Sequence, residues 1–315
     1  MSSPAPLPKI LLAGAPRTGS TWLAKYLSWS PSLVYNHEPD NEMEAIGAEY
    51  YKAGLPRFPY LTAESRAPHY ETLFNRAFTR QLKPNDRPSN QYLMAFLGAG
   101  RKHKINNLRQ QQVASNKRPM RLLWASRLLS RRVPEQRAVL VKSVHAPLSL
   151  PFIYKRLAPR MVLIFRNPLD AYGSQVKLKM KDQNRQVFQY HPDTKEDRTY
   201  LQKQPAAFQA GVQMGLFYKE MLAFSQKESE AIPLFYEDII KAPSTLPELA
   251  RKLGLEETSD MKAFLEKSNR SGSGYQTTRK LQEQTNTHLA ILGPAAIEQF
   301  RAGYLYVAPA VYQKI

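Results

Sequence analysis

Lys9-Ile-Leu-Leu-Ala-Gly-Ala-Pro-Arg-Thr-Gly-Ser-Thr21 is the stretch from which the fold is read. Ile10 to Ala13 form an apolar run of strand length, and Leu23, Tyr26 and Leu27 follow at helical spacing. The pattern predicts a strand, a loop, and a helix from Gly19 to about Trp29 that stops at Ser30-Pro31. A strand feeding a glycine-containing loop that opens a helix makes an anion site, because free backbone N–H groups and the positive helix end point into the loop. Gly14 and Gly19 have the spacing of a G-x-x-x-x-G phosphate loop, but Ser20 stands where the lysine of a nucleotide triphosphatase belongs, with Thr21 in the hydroxyl position. Arg17 supplies a fixed cation inside the loop instead. The nucleotide therefore need not be a triphosphate carried on magnesium. The plain alternative is an ordinary strand-to-helix connection.

Two further apolar runs, Ala138-Val-Leu-Val-Lys142 and Met161-Val-Leu-Ile-Phe165, flank a helix expected from Phe152 to Leu157. Continuously apolar strands separated by helices belong to a parallel sheet covered on both faces, and ligands of such sheets collect beyond the carboxyl ends of the strands. Lys142, His145 and Arg166 follow strands in this way, as the Gly14 loop does. After Phe165, Asn167 is suited to cap a helix, Pro168 to its first position, and Asp170 to its positive end. Arg166 does not fit that account: the helix dipole disfavours a cation there unless an anion joins it. Ser174 lies about two turns along from it.

Composition narrows the classes. The 315 residues carry a formal net charge of +19 and no cysteine, which excludes disulfides, thiolate nucleophiles and cysteine metal sites. The six histidines show no ligand spacing, so no metal is expected. The N-terminus lacks a basic region followed by a long apolar stretch, and no run of about 18 apolar residues occurs. A soluble, cytoplasmic protein without a membrane span is expected. The charge is uneven: from Arg101 to Arg137 one acidic residue, Glu135, stands among eleven Lys and Arg. That segment reads either as a solvated basic face or as a surface for an anionic partner.

Residues 42–135 are the least regular part, with helices expected around 69–81 and 104–130 about the turn-rich Lys83-Pro-Asn-Asp-Arg-Pro-Ser-Asn90. Before them, Ser32 to Tyr35 should be extended, and Pro39 should hold Glu38 extended at the end of that strand. Residues 176–204, polar and rich in Gln, read as an exposed lid or loop. A helix over about 205–228, the strand Ile232 to Tyr236, and helices near 244–254, 259–267 and 294–303 follow. Asn269 to Lys280 reads as a flexible basic loop.

Two of these stretches together resemble the sulfotransferase superfamily that uses 3′-phosphoadenosine 5′-phosphosulfate (PAPS). Ala15-Pro-Arg-Thr-Gly-Ser-Thr-Trp-Leu23 is similar to its 5′-phosphosulfate loop, P-[KR]-[ST]-G-[ST]-T-x-L, and Arg166-Asn-Pro-Leu-Asp-Ala-Tyr-Gly-Ser174 to its 3′-phosphate motif, R-[DN]-P-x-D-x-x-x-S. The resemblance implies an α/β, three-layer P-loop-like fold with a central parallel sheet and helices on both faces. It implies one domain over 8–315, with a basic, mostly helical insertion at about 42–135, after a disordered 1–7. By the same resemblance Pro16, Arg17, Thr18, Gly19, Ser20 and Thr21 hold the 5′-phosphosulfate, Arg166 and Ser174 the 3′-phosphate, and Trp22 faces the adenine or packs in the core. Arg270, Arg279 and Lys280 are candidates for closing on the cofactor, although their loop departs from the cytosolic R-K-G-x-x-G-D-W pattern. The general base is Glu38, in the place of the glutamate of tyrosylprotein and several bacterial sulfotransferases, or His145, in a segment similar to K-T-H-x-P with one extra residue; Lys142 is a cation near the transferring group. The acceptor is a hydroxyl or amine, an anionic glycan being one compatible class. Two other readings stand beside this one: a polyanion- or nucleic-acid-binding protein, without a recognised nucleic-acid module, and a magnesium-dependent phosphotransferase with an atypical phosphate loop.

Overall fold

The computed structural model describes residues 8–42, 45, 48–52, 54–82, 130–132, 137–180, 187–269 and 281–308. In chain order the strands are β1 (Lys9–Gly14), β2 (Leu33–His37), β3 (Arg80–Leu82), β4 (Ser130–Arg132), β5 (Ala138–Ser143), β6 (Arg160–Phe165) and β7 (Ile232–Phe235). Five of them form one sheet in the order β2-β5-β1-β6-β7, with every pairing parallel. Central position explains composition: β1, β5 and β6 are buried almost end to end, as continuously apolar strands must be when both faces are covered. Pro233 sits in β7, at the sheet edge, where a missing N–H costs no ladder bond.

Strand alternation sends side chains to two cores. Leu11, Val141, Leu163 and Phe165 face α3 (Pro68–Thr79), α4 (Leu150–Leu157), α5 (Pro168–Lys177), α8 (Ala206–Lys227) and α12 (Leu281–Val307). Ile10, Leu12, Leu140 and Ile164 face α1 (Ser20–Leu27), α10 (Thr245–Lys252) and α11 (Ser259–Asn269). These are the three layers expected. The remaining helices are α2 (Ala48–Lys52), α6 (Val187–Tyr190), α7 (Arg198–Lys203) and α9 (Tyr236–Lys241).

Three expectations change. Residues 187–203 are not an exposed loop: they form α6, a 3₁₀ turn at Pro192–Thr194 and α7, and they bury Val187, Phe188, His191 and Leu201. The helix expected near 294–303 is the second part of α12, which begins at Leu281 and is kinked at Gly293 ahead of Pro294. Glu38 is not extended; its φ is 41°, in the left-handed region. Its N–H bonds the Lys142 carbonyl at 2.8 Å and its own carbonyl accepts from Asn41 at 3.0 Å, so the chain turns sharply as it leaves β2. Within the segment 42–135, α2, α3 and the antiparallel β3–β4 pair are described; the helix expected over 104–130 lies almost wholly outside the described residues, as do 1–7.

Candidate active site

The carboxyl ends of β2, β5, β1 and β6 lie side by side, and register decides which side chains meet there. His37 pairs with Lys142, Ala13 with Ser143, and Gly14 with Ile164. The loops leaving these ends carry Glu38, His145, Arg17 and Arg166 respectively, which is where ligands of a parallel sheet collect.

In the loop from β1 to α1, Gly19 has φ 93°, and a Cβ there would fall 2.5 Å from the Tyr236 ring. Thr18 is fully buried and its hydroxyl donates to the Ala15 carbonyl at 2.8 Å, closing the loop on itself. Arg17, at φ 74°, is exposed at the tip. The first turn of α1 contains no acidic residue to offset the positive helix end. Trp22 is buried in the core beside Phe264, with ring centroids 6.5 Å apart.

Arg166 ends β6 ahead of α5. Its backbone N–H donates to the Tyr218 hydroxyl at 3.1 Å and its carbonyl accepts from that hydroxyl at 2.5 Å, so one side chain of α8 fixes both groups. Asn167 caps α5 by accepting from the N–H groups of Leu169 and Asp170. The Arg166 guanidinium stacks over the Tyr236 ring, 4.8 Å from its centroid, and donates to the Arg17 carbonyl at 3.1 Å. Arg17 Nε in turn donates to Ser174 Oγ at 3.1 Å, and Gln175 donates to the Pro16 carbonyl at 3.3 Å. Two stretches about 150 residues apart in sequence therefore form one surface at adjoining helix starts. A carbonyl and an aromatic face answer part of the electrostatic mismatch at Arg166. The two guanidinium groups and the uncapped start of α1 fit a ligand with negative charge at two positions.

On the other side, Lys142 Nζ forms an ion pair with Glu38 Oε1, both side chains being less than a tenth exposed. Asn41 Nδ2 donates to Glu38 Oε2 at 2.5 Å, and His37 Nε2 stands 3.9 Å from Oε1. Behind this pair lies a buried polar network. Ser143 Oγ donates to the Asp40 carboxylate at 2.8 Å and accepts the N–H groups of His145 and Ala146, which shapes the turn after β5. Burial pushes the Asp40 carboxyl up to about 6, opposed by Lys52 and the Ser143 hydrogen bond and reinforced by Glu38 and Glu42. His145 is fully buried: its Nε2 accepts from Arg57 Nε at 2.9 Å and its Nδ1–H donates to the Asp40 carbonyl at 3.2 Å. Burial, then the cations Lys52, Arg57 and Lys142, hold it well below the usual histidine range. A neutral ring bonded at both nitrogens has no lone pair left to take a proton from a substrate.

The surrounding Asp40, Asn41, Glu42, Lys52, Arg57 and Tyr236 are not singled out by the sequence reading. For Asp40 and Asn41 a signal exists, because they share the turn of Glu38; for Arg57 none does. Arg270, Arg279 and Lys280 lie outside the described residues. Among the described residues, no group of three or more His, Asp or Glu is gathered as a metal site would require, and no helix is long and apolar enough to cross a membrane.

Comparison with known proteins adds the following. No curated protein matches the sequence. The sulfotransferase domain from the Synechococcus PCC 7002 olefin synthase is 16% identical, with 96% of this chain and 90% of that chain covered and a TM-score of 0.44. A sulfotransferase domain from the curacin biosynthetic pathway is 15% identical, covering 95% and 83% at a TM-score of 0.43. Sulfotransferase STF1 from Mycobacterium tuberculosis H37Rv is 17% identical, covering 89% and 77% at 0.41. These likenesses are too distant to bear on individual residues. The family model described as the sulfotransferase family matches residues 8–260, most of the chain, and on that match the chain belongs to the sulfotransferase family.

Proposed function

We propose that the chain transfers a sulfuryl group from PAPS to a hydroxyl or amine acceptor, with Glu38 as general base. The observation that carries this reading is the convergence of Arg17, Arg166 and Ser174, which gives a nucleotide with charge at both its 5′ and 3′ ends two cationic contacts on adjoining helix starts. The residues that would hold it are Pro16 to Thr21 at the 5′ end and Arg166 with Ser174 at the 3′ end, while Trp22 packs in the core. When bound, PAPS supplies an activated sulfuryl group whose leaving group is a phosphate.

The chain's own part is electrostatic and positional. Arg17, Lys142 and the loop N–H groups face charge that grows as transfer proceeds, a preorganised arrangement that usually supplies the largest share of such catalysis. Glu38 is assigned the base role over His145 because its carboxylate is held at the strand ends by Lys142 and Asn41, whereas both nitrogens of His145 are committed within the core. His145 instead positions Arg57 and the turn bearing Asp40. The net charge of +19 supports testing anionic carbohydrates first among acceptors.

The test has two arms. The product nucleotide 3′-phosphoadenosine 5′-phosphate (PAP) should raise the melting temperature, by about 2.7 kcal/mol of stabilisation at a hundredfold excess over Kd, and ATP with magnesium should not. Labelled PAPS should then transfer label to a member of a panel of glycans, phenols, lipids and peptides, and Glu38→Gln should abolish that transfer while PAP binding persists. Stabilisation by ATP with magnesium alone would favour a phosphotransferase.

A further inference from the structure

We propose that His288 and Thr285, on the C-terminal helix α12, are positioning residues for the donor nucleotide, acting on it through Asp170 and Ser174. The proposal deepens the function proposed above and rests on it.

Asp170 lies in the first turn of α5, and Ser174 follows it by four residues, so the two share one face of the helix, one turn apart. Gly173 lies on the other side of Asp170 around the helix. There α12 comes so close that a Cβ on Gly173 would stand 2.5 Å from the His288 Cβ and 3.1 Å from its Cα. Asp170 is thus at the boundary between the face of α5 turned to α12 and the face turned to the phosphate loop. Its carboxylate is committed to the first of these: His288 Nδ1 donates to Oδ1 at 3.0 Å and Thr285 Oγ1 to Oδ2 at 2.8 Å. The Asp170 and His288 side chains are enclosed, at 7% and 8% exposed, and Thr285 is half-buried beside them.

The chemistry of this arrangement is specific to an anion site. A carboxylate three residues after a helix cap ordinarily serves the positive helix end, and here that end is where a phosphate is to bind. The N–H groups of that first turn are held by the Asn167 side chain, so what Asp170, left to itself, would contest with the phosphate is the Arg166 guanidinium. His288 and Thr285 turn its two oxygens toward α12, and so away from the Arg166 guanidinium. They also fix the turn of α5 from which Ser174 meets Arg17. An uninterrupted set of hydrogen bonds and one helical turn therefore joins α12 to the phosphate loop.

The experiment measures PAP binding by calorimetry and unfolding by urea, on the full chain, for His288→Ala, His288→Asn, Asp170→Asn and the His288→Ala/Asp170→Asn double variant. His288→Ala should weaken PAP about tenfold, the scale of one lost charge-sensitive contact. His288→Asn, which retains a donor near the Nδ1 position, should recover most of that loss. In the Asp170→Asn background His288→Ala should cost less than threefold, because the competing charge is gone. If His288→Ala lowers stability but leaves PAP affinity unchanged, or costs the same affinity with and without the Asp170 charge, the residue is structural only and the proposal fails. If the unsubstituted protein does not bind PAP, the functional reading fails first, and the two failures are distinct. Should His288→Ala not fold, Thr285→Val carries the same comparison, with the same outcomes deciding it.

Discussion

Asp40→Asn should change how the stability of this protein depends on pH. The Asp40 carboxyl is fully buried and lies at about 6 against an ordinary 3.8. The gap of about two units corresponds to about 3 kcal/mol, at about 1.4 kcal/mol per unit. The sign follows from proton uptake: between the two values the folded chain holds a proton that the unfolded chain has lost. The contribution is therefore fully present below about pH 4 and is lost as pH rises through about 6. Asparagine keeps the shape and a carbonyl acceptor for Ser143 but cannot titrate. Urea unfolding of both proteins from about pH 4 to about pH 8 isolates the residue, since every other titrating group contributes to both curves. The stability of the unsubstituted protein minus that of Asp40→Asn should fall by about 3 kcal/mol across this interval and then level. Parallel curves, or a difference that grows with pH, would refute a burial-raised Asp40 carboxyl behind the Glu38–Lys142 pair.

Other substitutions test the frame around it. Gly19→Ala places a side chain in the left-handed region and against the Tyr236 ring that supports Arg166; unfolding should show a loss of about 2–4 kcal/mol, and a change below about 0.5 kcal/mol would contradict the close contact. Gly173→Ala should destabilise by about 1–2 kcal/mol although alanine is the better helix former, because the α5–α12 contact leaves no room; a rise in melting temperature would overturn that. Arg17→Ala removes an exposed side chain, so the melting temperature should hold while sulfuryl transfer falls roughly 10²-fold; full turnover would remove Arg17 from the chemistry.

Legibility in the sequence followed physical range. The loop from Gly14 to Thr21, the strands at 138–142 and 161–165 and the Asn167 cap are local patterns, and each appears where its residues imply. The Glu38–Lys142 ion pair was not legible, because it depends on β2 and β5 being neighbours although about a hundred residues separate them. The direct bond from Arg17 to Ser174 likewise requires α5 and the phosphate loop to be brought together by the central place of β1. Residues 187–203 misled for a different reason: helices of four to six residues are too short for periodicity, and their few apolar side chains sit among charges. Glu38 departed from the extended preference of a residue before proline because ladder and turn bonds on either side outweigh that local term.

The short β3–β4 ladder has a consequence beyond the sheet. Arg80 to Leu82 pair antiparallel with Ser130 to Arg132, so the chain departs and returns at a single point. Whatever length lies between is closed by its own clasp, and closure entropy rises only as the logarithm of that length, about 0.6 kcal/mol per doubling. The register that sets Lys142 beside Glu38 is made by β2 and β5 and not by this ladder, so a change of length between β3 and β4 should cost little stability and leave that ion pair in place.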